Sequence, residues 1–296
     1  MTEADSVNKG QAGPGTAVER VRVRYLIIAW LIPIVWLPGA DILFIAMADT
    51  PWYWRDIALI YYTQGLLAIA LALTFYFWRF PPSETLGPPA DGPGLRSGLL
   101  WAAFLFIISM PAVYIVFYPL SFLAPEFVDY RLIDLSVPVY FDSGIYPFIP
   151  NLLDVISLCV IAPILEELAF RGVILHRWAH RFGLGKAVLF SSLLFGIAHT
   201  DVLGAFLFGI GMCILYLRFQ SLWVPIISHG VYNFVAWLFA LGNFLQDDPS
   251  GQYTLQDFQN EWWIAAIYAA IGAVWATIYL IRRRPDRRLR LPALTG

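Results

Sequence analysis

The chain has 296 residues, of which 59% are apolar, 17% aromatic and only 14% charged. A soluble domain carries about a quarter charged residues, so this composition excludes an ordinary water-soluble globule, and recurrent apolar runs of about 20 residues indicate a membrane protein. The net charge of −2 is uninformative alone, because the charges are unevenly placed.

Residues 1–24 form a polar N-terminal tail in which no cleavable signal peptide is expected. Eight candidate spans follow, at about 25–48, 53–79, 97–120, 151–176, 184–200, 202–219, 222–243 and 262–281. The fifth and sixth are short and joined by a tight turn at Thr200-Asp201, so this pair either crosses incompletely or forms a helical hairpin. Pro81 to Gly94 reads as a flexible cytoplasmic linker, and 124–150 as a longer external loop rich in Pro and aromatics. Residues 282–296 form a basic C-terminal tail. With both termini cytoplasmic, sixteen Lys and Arg fall inside and only Arg55 and Arg131 outside, with Arg171 buried. That bias supports eight spans. The expected fold is therefore all-α: a polytopic membrane helical bundle, N-in and C-in, with one domain over 25–281 and a motif core at 151–243.

Polar residues inside the apolar runs identify the chemistry. Glu166-Glu167 sits in Leu-Cys-Val-Ile-Ala-Pro-Ile-Leu-Glu-Glu-Leu-Ala-Phe-Arg-Gly, and a carboxylate at bilayer depth costs at least ~2.5 kcal/mol on insertion scales. Glu167 and Arg171 are four apart with the acid first, the favourable order for an intrahelical ion pair, which leaves Glu166 free to face a cavity. Phe195 and His199 stack on one helical face, as do His229 and Asn233. Hydrolysis needs a base to activate water and donors for an oxyanion. Glu166 with His199 suits the first task, His229 and Asn233 the second, and Glu167, Arg171 and Phe195 the support of the site. No cofactor is required. The alternative is a divalent metal such as zinc on Glu166, His199 and His229, although the usual His-Glu-x-x-His helix is absent.

Other polar residues read more plainly. His176 and His180 are four apart in a basic helix end, a pattern of interfacial residues more than of a metal pair. Asp41 and Asp154 are further intramembrane acids, the latter suited to a helix N-terminus. Cys159 and Cys213 lie in predicted spans, which argues against a disulfide framework and reads as small buried residues, a nucleophilic thiol being the alternative.

The three motifs, Glu166-Glu167-Leu-Ala-Phe-Arg171-Gly172, Phe195-Gly-Ile-Ala-His199 and Ser221-Leu-Trp-Val-Pro-Ile-Ile-Ser-His229-Gly-Val-Tyr-Asn233, resemble in order and spacing the CAAX protease and bacteriocin-processing (CPBP, or ABI) family. The resemblance covers a core of about 80 residues. It implies an intramembrane endopeptidase with Glu166 and His199 as the water-activating pair and His229 and Asn233 as oxyanion donors. It also implies a hydrophobic or lipid-associated peptide substrate, contact with membrane lipids and no nucleic-acid partner. A bacterial cytoplasmic membrane is the expected location. The other function classes open to the sequence are a catalytically idle bacteriocin-immunity or binding protein and a proton-coupled transporter.

Overall fold

The structure, a computed structural model, describes residues 17–28, 40–79, 82–134, 139–141, 146–246, 253–282 and 289–292. The described residues are helical throughout, with no strand. We number the long helices α1 (Trp52–Trp78), α2 (Gly92–Leu123), α3 (Phe148–Phe182), α4 (Leu184–Ile197), α5 (Val202–Phe219), α6 (Trp223–Gln246) and α7 (Trp262–Arg282). All but α4 are long and apolar enough to cross a membrane. Their outward faces carry large apolar side chains such as Ile69, Phe77, Ile115, Phe122, Ile271 and Ile281, as lipid contact requires. The chain is an integral membrane protein. The first expected span, 25–48, has its middle at 29–39, outside the described residues; 40–46 is helical.

Small residues let the inner helices approach. A Cβ on Gly209 of α5 would stand 3.0 Å from the backbone of Ser192 on α4, and one on Gly211 would stand 2.9 Å from Leu105 on α2. Close backbone approach of this kind drives packing where lipid removes the hydrophobic contrast. Around this seam Leu67, Leu71, Leu105, Phe170, Val173, Phe195, Phe208 and Met212 form the principal core.

One expectation needs correction. Residues 82–94 do not form a flexible linker. Pro82–Leu86 is a helical turn, and Leu86 accepts from the Leu222 amide at 2.9 Å. Pro88 accepts from Ser221 at 2.6 Å, and Asp91 caps α2 through the Gly94 amide. The carbonyls of this Pro-rich segment, unable to pair locally, find partners at the α5–α6 junction. Helix α4, at 14 residues, measures ~21 Å, short of a ~30 Å hydrocarbon core, in keeping with the short fifth span expected from the sequence. The hairpin reading of α4 and α5 holds.

Helix α3 is not regular. Wide π turns occupy Ser157–Ile161 and Leu168–Ile174, on either side of the α-helical Ala162–Glu167. Pro163 lacks an N–H and so cannot pair with the Cys159 carbonyl, which favours a break in the ladder there. Gly230 of α6 fits against that carbonyl: a Cβ at this position would collide with the Cys159 oxygen.

Candidate active site

The α-helical segment between the two π turns carries Glu166 and Glu167 on diverging faces. Glu167 is fully buried, and its Oε1 accepts from Arg171 at 2.8 Å, as its spacing predicts. The same oxygen lies 3.0 Å from His229 Nδ1. Glu167 therefore joins two helices, a role that i,i+4 spacing alone does not reveal, since the partners are 62 residues apart. Arg171 also donates to the Gly209 carbonyl at 3.0 Å, and its guanidinium lies 4.9 Å from the Phe195 ring centroid. Both ions are thus paired inside the bundle, the condition under which buried charge is tolerated.

On its other face Phe195 stacks on the His199 ring, with centroids 4.2 Å apart. His199 lies just beyond the end of α4, and its Nδ1 lies 2.7 Å from the Phe195 carbonyl. A carbonyl only accepts, so this contact places a proton on Nδ1 and leaves Nε2 of the neutral ring as an acceptor. His229 Nδ1 likewise carries a proton toward its acceptor, the Glu167 carboxylate, and its Nε2 accepts in the neutral ring and donates in the imidazolium. Both Nε2 atoms then face Glu166, each 3.9 Å from its Oε2. The Glu166 side chain keeps 18% exposure and that of His199 34%, so both border open space, whereas His229 is enclosed.

A separation of 3.9 Å is too long for a hydrogen bond, yet a single water bonded at ~2.8 Å to both atoms spans it with an angle of about 90° at the water. The arrangement can hold water between a carboxylate and two imidazoles and can move a proton among them. Asn233, one turn beyond His229, directs Nδ2 to the Leu158 carbonyl at 2.8 Å. That carbonyl lies in the first π turn of α3. One amide N–H of Asn233 is engaged there, and the other remains for a ligand.

Two contributors escaped the sequence reading. Phe208 of α5 lies 4.7 Å from the His229 ring, edge to face, but one Phe in an apolar run gives no signal. Arg131, from the loop after α2, donates to the His199 carbonyl at 3.3 Å, and its isolation among external residues was the available clue. His176 belongs to another network: its Nε2 lies 2.8 Å from the Tyr216 hydroxyl, which also reaches the Thr85 carbonyl. It is buried and structural, not the interfacial residue that its place in a basic helix end suggests. Cys159 and Cys213 are both unbridged.

Residues 148–235 match the family described as "Type II CAAX prenyl endopeptidase Rce1-like". The segment runs from the start of α3 to just beyond Asn233, so it encloses Glu166, Glu167, Arg171, Phe195, His199, His229 and Asn233. The chain is also 28% identical over 182 residues to the Bacillus subtilis protein named "Putative membrane peptidase YdiL", covering 58% of this chain and 70% of that one. No solved structure matches.

Proposed function

We propose that this chain is a membrane protease of the CAAX protease and bacteriocin-processing type, a reading that the family match over residues 148–235 and the likeness to the Bacillus protein support, and that it cleaves hydrophobic or lipid-associated peptides with a water activated by Glu166. The observation that carries this reading is the placement of Glu166 Oε2 3.9 Å from both Nε2 atoms, with each Nδ1 engaged by an acceptor. In this mechanism the water lies between Glu166 and the His199 Nε2 lone pair. Glu166 removes its proton as the oxygen attacks the scissile carbonyl carbon. The developing oxyanion accepts from the second N–H of Asn233 and from Nε2–H of His229 in its imidazolium form, whose charge Glu167 balances. Protonated Glu166 then delivers its proton to the departing amine as the C–N bond breaks.

The separations also bear on the metal alternative. A zinc ion bound at ~2.0–2.1 Å in a tetrahedral site holds its donor atoms ~3.4 Å apart. The observed 3.9 Å suits hydrogen-bonded water better, so no step is assigned to a metal. The bilayer setting of the cluster selects the substrate class, since the scissile bond must reach apolar surroundings.

The test is to compare the membrane peptidomes of cells carrying the wild-type chain and Glu166→Gln, then to assay the peptides found with purified proteins in liposomes. Loss of the carboxylate base is expected to lower turnover by about 10²–10⁴-fold at unchanged expression. Cleavage by Glu166→Gln and His199→Ala at wild-type rates would refute the proposal. Activity abolished by chelation and restored by zinc would replace it with the metal reading.

A further inference from the structure

A hydrolase inside a bilayer consumes water that lipid does not supply. A second buried polar cluster on α3, not used in the mechanism above, bears on that supply. Asp154 is 5% exposed, and its Oδ2 has no hydrogen-bond partner among the described residues. The same is true of the hydroxyl of fully buried Tyr140 and of Gln64 Oε1 on α1. These groups share one neighbourhood. Burial and the charges of Asp154 and Asp56 push the Tyr140 phenol well above its usual range, so it keeps its proton and can donate. Asn151 fixes the Tyr140 backbone with bonds of 3.0 and 2.9 Å. Gln64 donates to Ser157 Oγ at 2.7 Å, one turn beyond Asp154, which leaves its Oε1 to accept. Two acceptors and one donor, each costing ~1–3 kcal/mol if left dry, make a site suited to ordered water.

The cluster connects to the catalytic group by hydrogen-bonding groups in sequence. Ser157 adjoins Leu158, whose carbonyl accepts from Asn233. One turn back along α6, His229 presents Nε2 to Glu166. We infer that water occupies the cavity among Tyr140, Asp154 and Gln64, and passes along Ser157, Leu158 and Asn233 to Glu166 from the face that carries residues 124–150. The purpose assigned to this path rests on the peptidase reading; its hydration does not.

A reporter already lies beside it. The Cys159 thiol is partly exposed and within electrostatic reach of Asp154, whereas Cys213 is enclosed, 3.9 Å from both Ser191 and Ser192. The experiment applies a membrane-impermeant, positively charged methanethiosulfonate to the full chain in liposomes, with Cys159→Ser as background. Labelling of Cys159 from the face of residues 124–150 is expected at least about tenfold faster than that background, because only a hydrated thiolate reacts. Gln64→Leu, which leaves the charge beside Cys159 unchanged, should slow labelling, and it and Asp154→Leu should each lower kcat about tenfold with KM unchanged, hydration of Cys159 being the readout that a merely structural role does not move. If Asp154→Leu fails to fold, Gln64→Leu decides alone, since it removes one acceptor from a half-buried position. No labelling in the wild-type chain, or labelling and kcat untouched by a folded variant, overturns the inference. Glu166→Gln separates the two proposals: cleavage that survives it sinks the peptidase reading, while Cys159 labelling still judges the water path.

Discussion

Replacing Arg171 with Met tests whether the Glu167–Arg171 pair is held by charge or merely by packing. The guanidinium donates to Glu167 at 2.8 Å and to Gly209 at 3.0 Å, and both ions are buried. Removing one partner of such a pair strands the other charge, which costs about 3–5 kcal/mol. The orphaned Gly209 carbonyl costs a further ~1–3 kcal/mol, but the terms are not additive, because Glu167 can take up a proton. We expect a loss of about 3–5 kcal/mol for Arg171→Met and a similar loss for Glu167→Gln, which strands the arginine. The double variant Glu167→Gln/Arg171→Met strands neither ion and should lie within about 1–2 kcal/mol of wild type. Its peptide cleavage should nonetheless remain about 10–100-fold down, since His229 has lost the carboxylate that orients Nδ1. Stability is read from SDS titration in mixed micelles by the fluorescence of the 12 tryptophans, and cleavage from a peptide assay in liposomes. A double variant no more stable than the worse single would refute the reasoning.

Three further outcomes follow from contacts elsewhere. Gly230→Ala drives a methyl into the Cys159 oxygen, so α6 must shift from α3, at about 1–3 kcal/mol in SDS titration and with loss of cleavage; wild-type values would show the approach to be unimportant. Tyr216→Phe removes the hydroxyl shared by His176 and Thr85, and should lower stability by about 1–2 kcal/mol while leaving cleavage intact; a loss of activity would implicate His176. Asp257 lies outside the spans, in a short helix before α7, where bonds from the Thr254 hydroxyl and amide hold its carboxyl below the usual range. Its contribution is complete above the unfolded carboxylate pKa of about 3.9 and fades as pH falls through the lowered folded value. Protection of the amides at 255–260, taken relative to their intrinsic exchange rates at each pH, should therefore fall only in acid, and Asp257→Ala should remove that dependence; an unchanged profile in the variant would exclude Asp257 as its origin.

Much of this site follows from local spacing. Glu167 with Arg171, Phe195 with His199, and His229 with Asn233 are each four apart, and helix geometry alone puts each pair on one face. What joins the pairs is not local. The bond between His229 and Glu167 depends on how α6 packs on α3, and that packing depends on Gly230 meeting a carbonyl freed by Pro163. Pro163 signals a broken ladder, but no sequence rule distinguishes a kink from the π turns seen here. The Pro-rich segment before α2 misleads for a related reason. Pro and Gly report that a segment cannot pair with itself, not whether its carbonyls find partners elsewhere, as Leu86 and Pro88 do.

The short length of α4 connects fold to chemistry. A helix that crossed the bilayer would hold His199 either within the backbone ladder or at the lipid surface. By ending at Ile197, α4 leaves His199 in a turn at depth, where its Nδ1 reaches the Phe195 carbonyl and its Nε2 faces Glu166. Ending a helix inside a bilayer exposes backbone groups that lipid cannot satisfy. Several are met by protein: Gly196 accepts from the His199 amide, Arg131 donates to the His199 carbonyl, and Asp201 caps the Gly204 amide to start α5. The polar groups that make the turn tolerable are also those that fix the imidazole. In this chain, the requirement to terminate a helix in lipid and the requirement to aim a histidine at Glu166 are met by one set of hydrogen bonds.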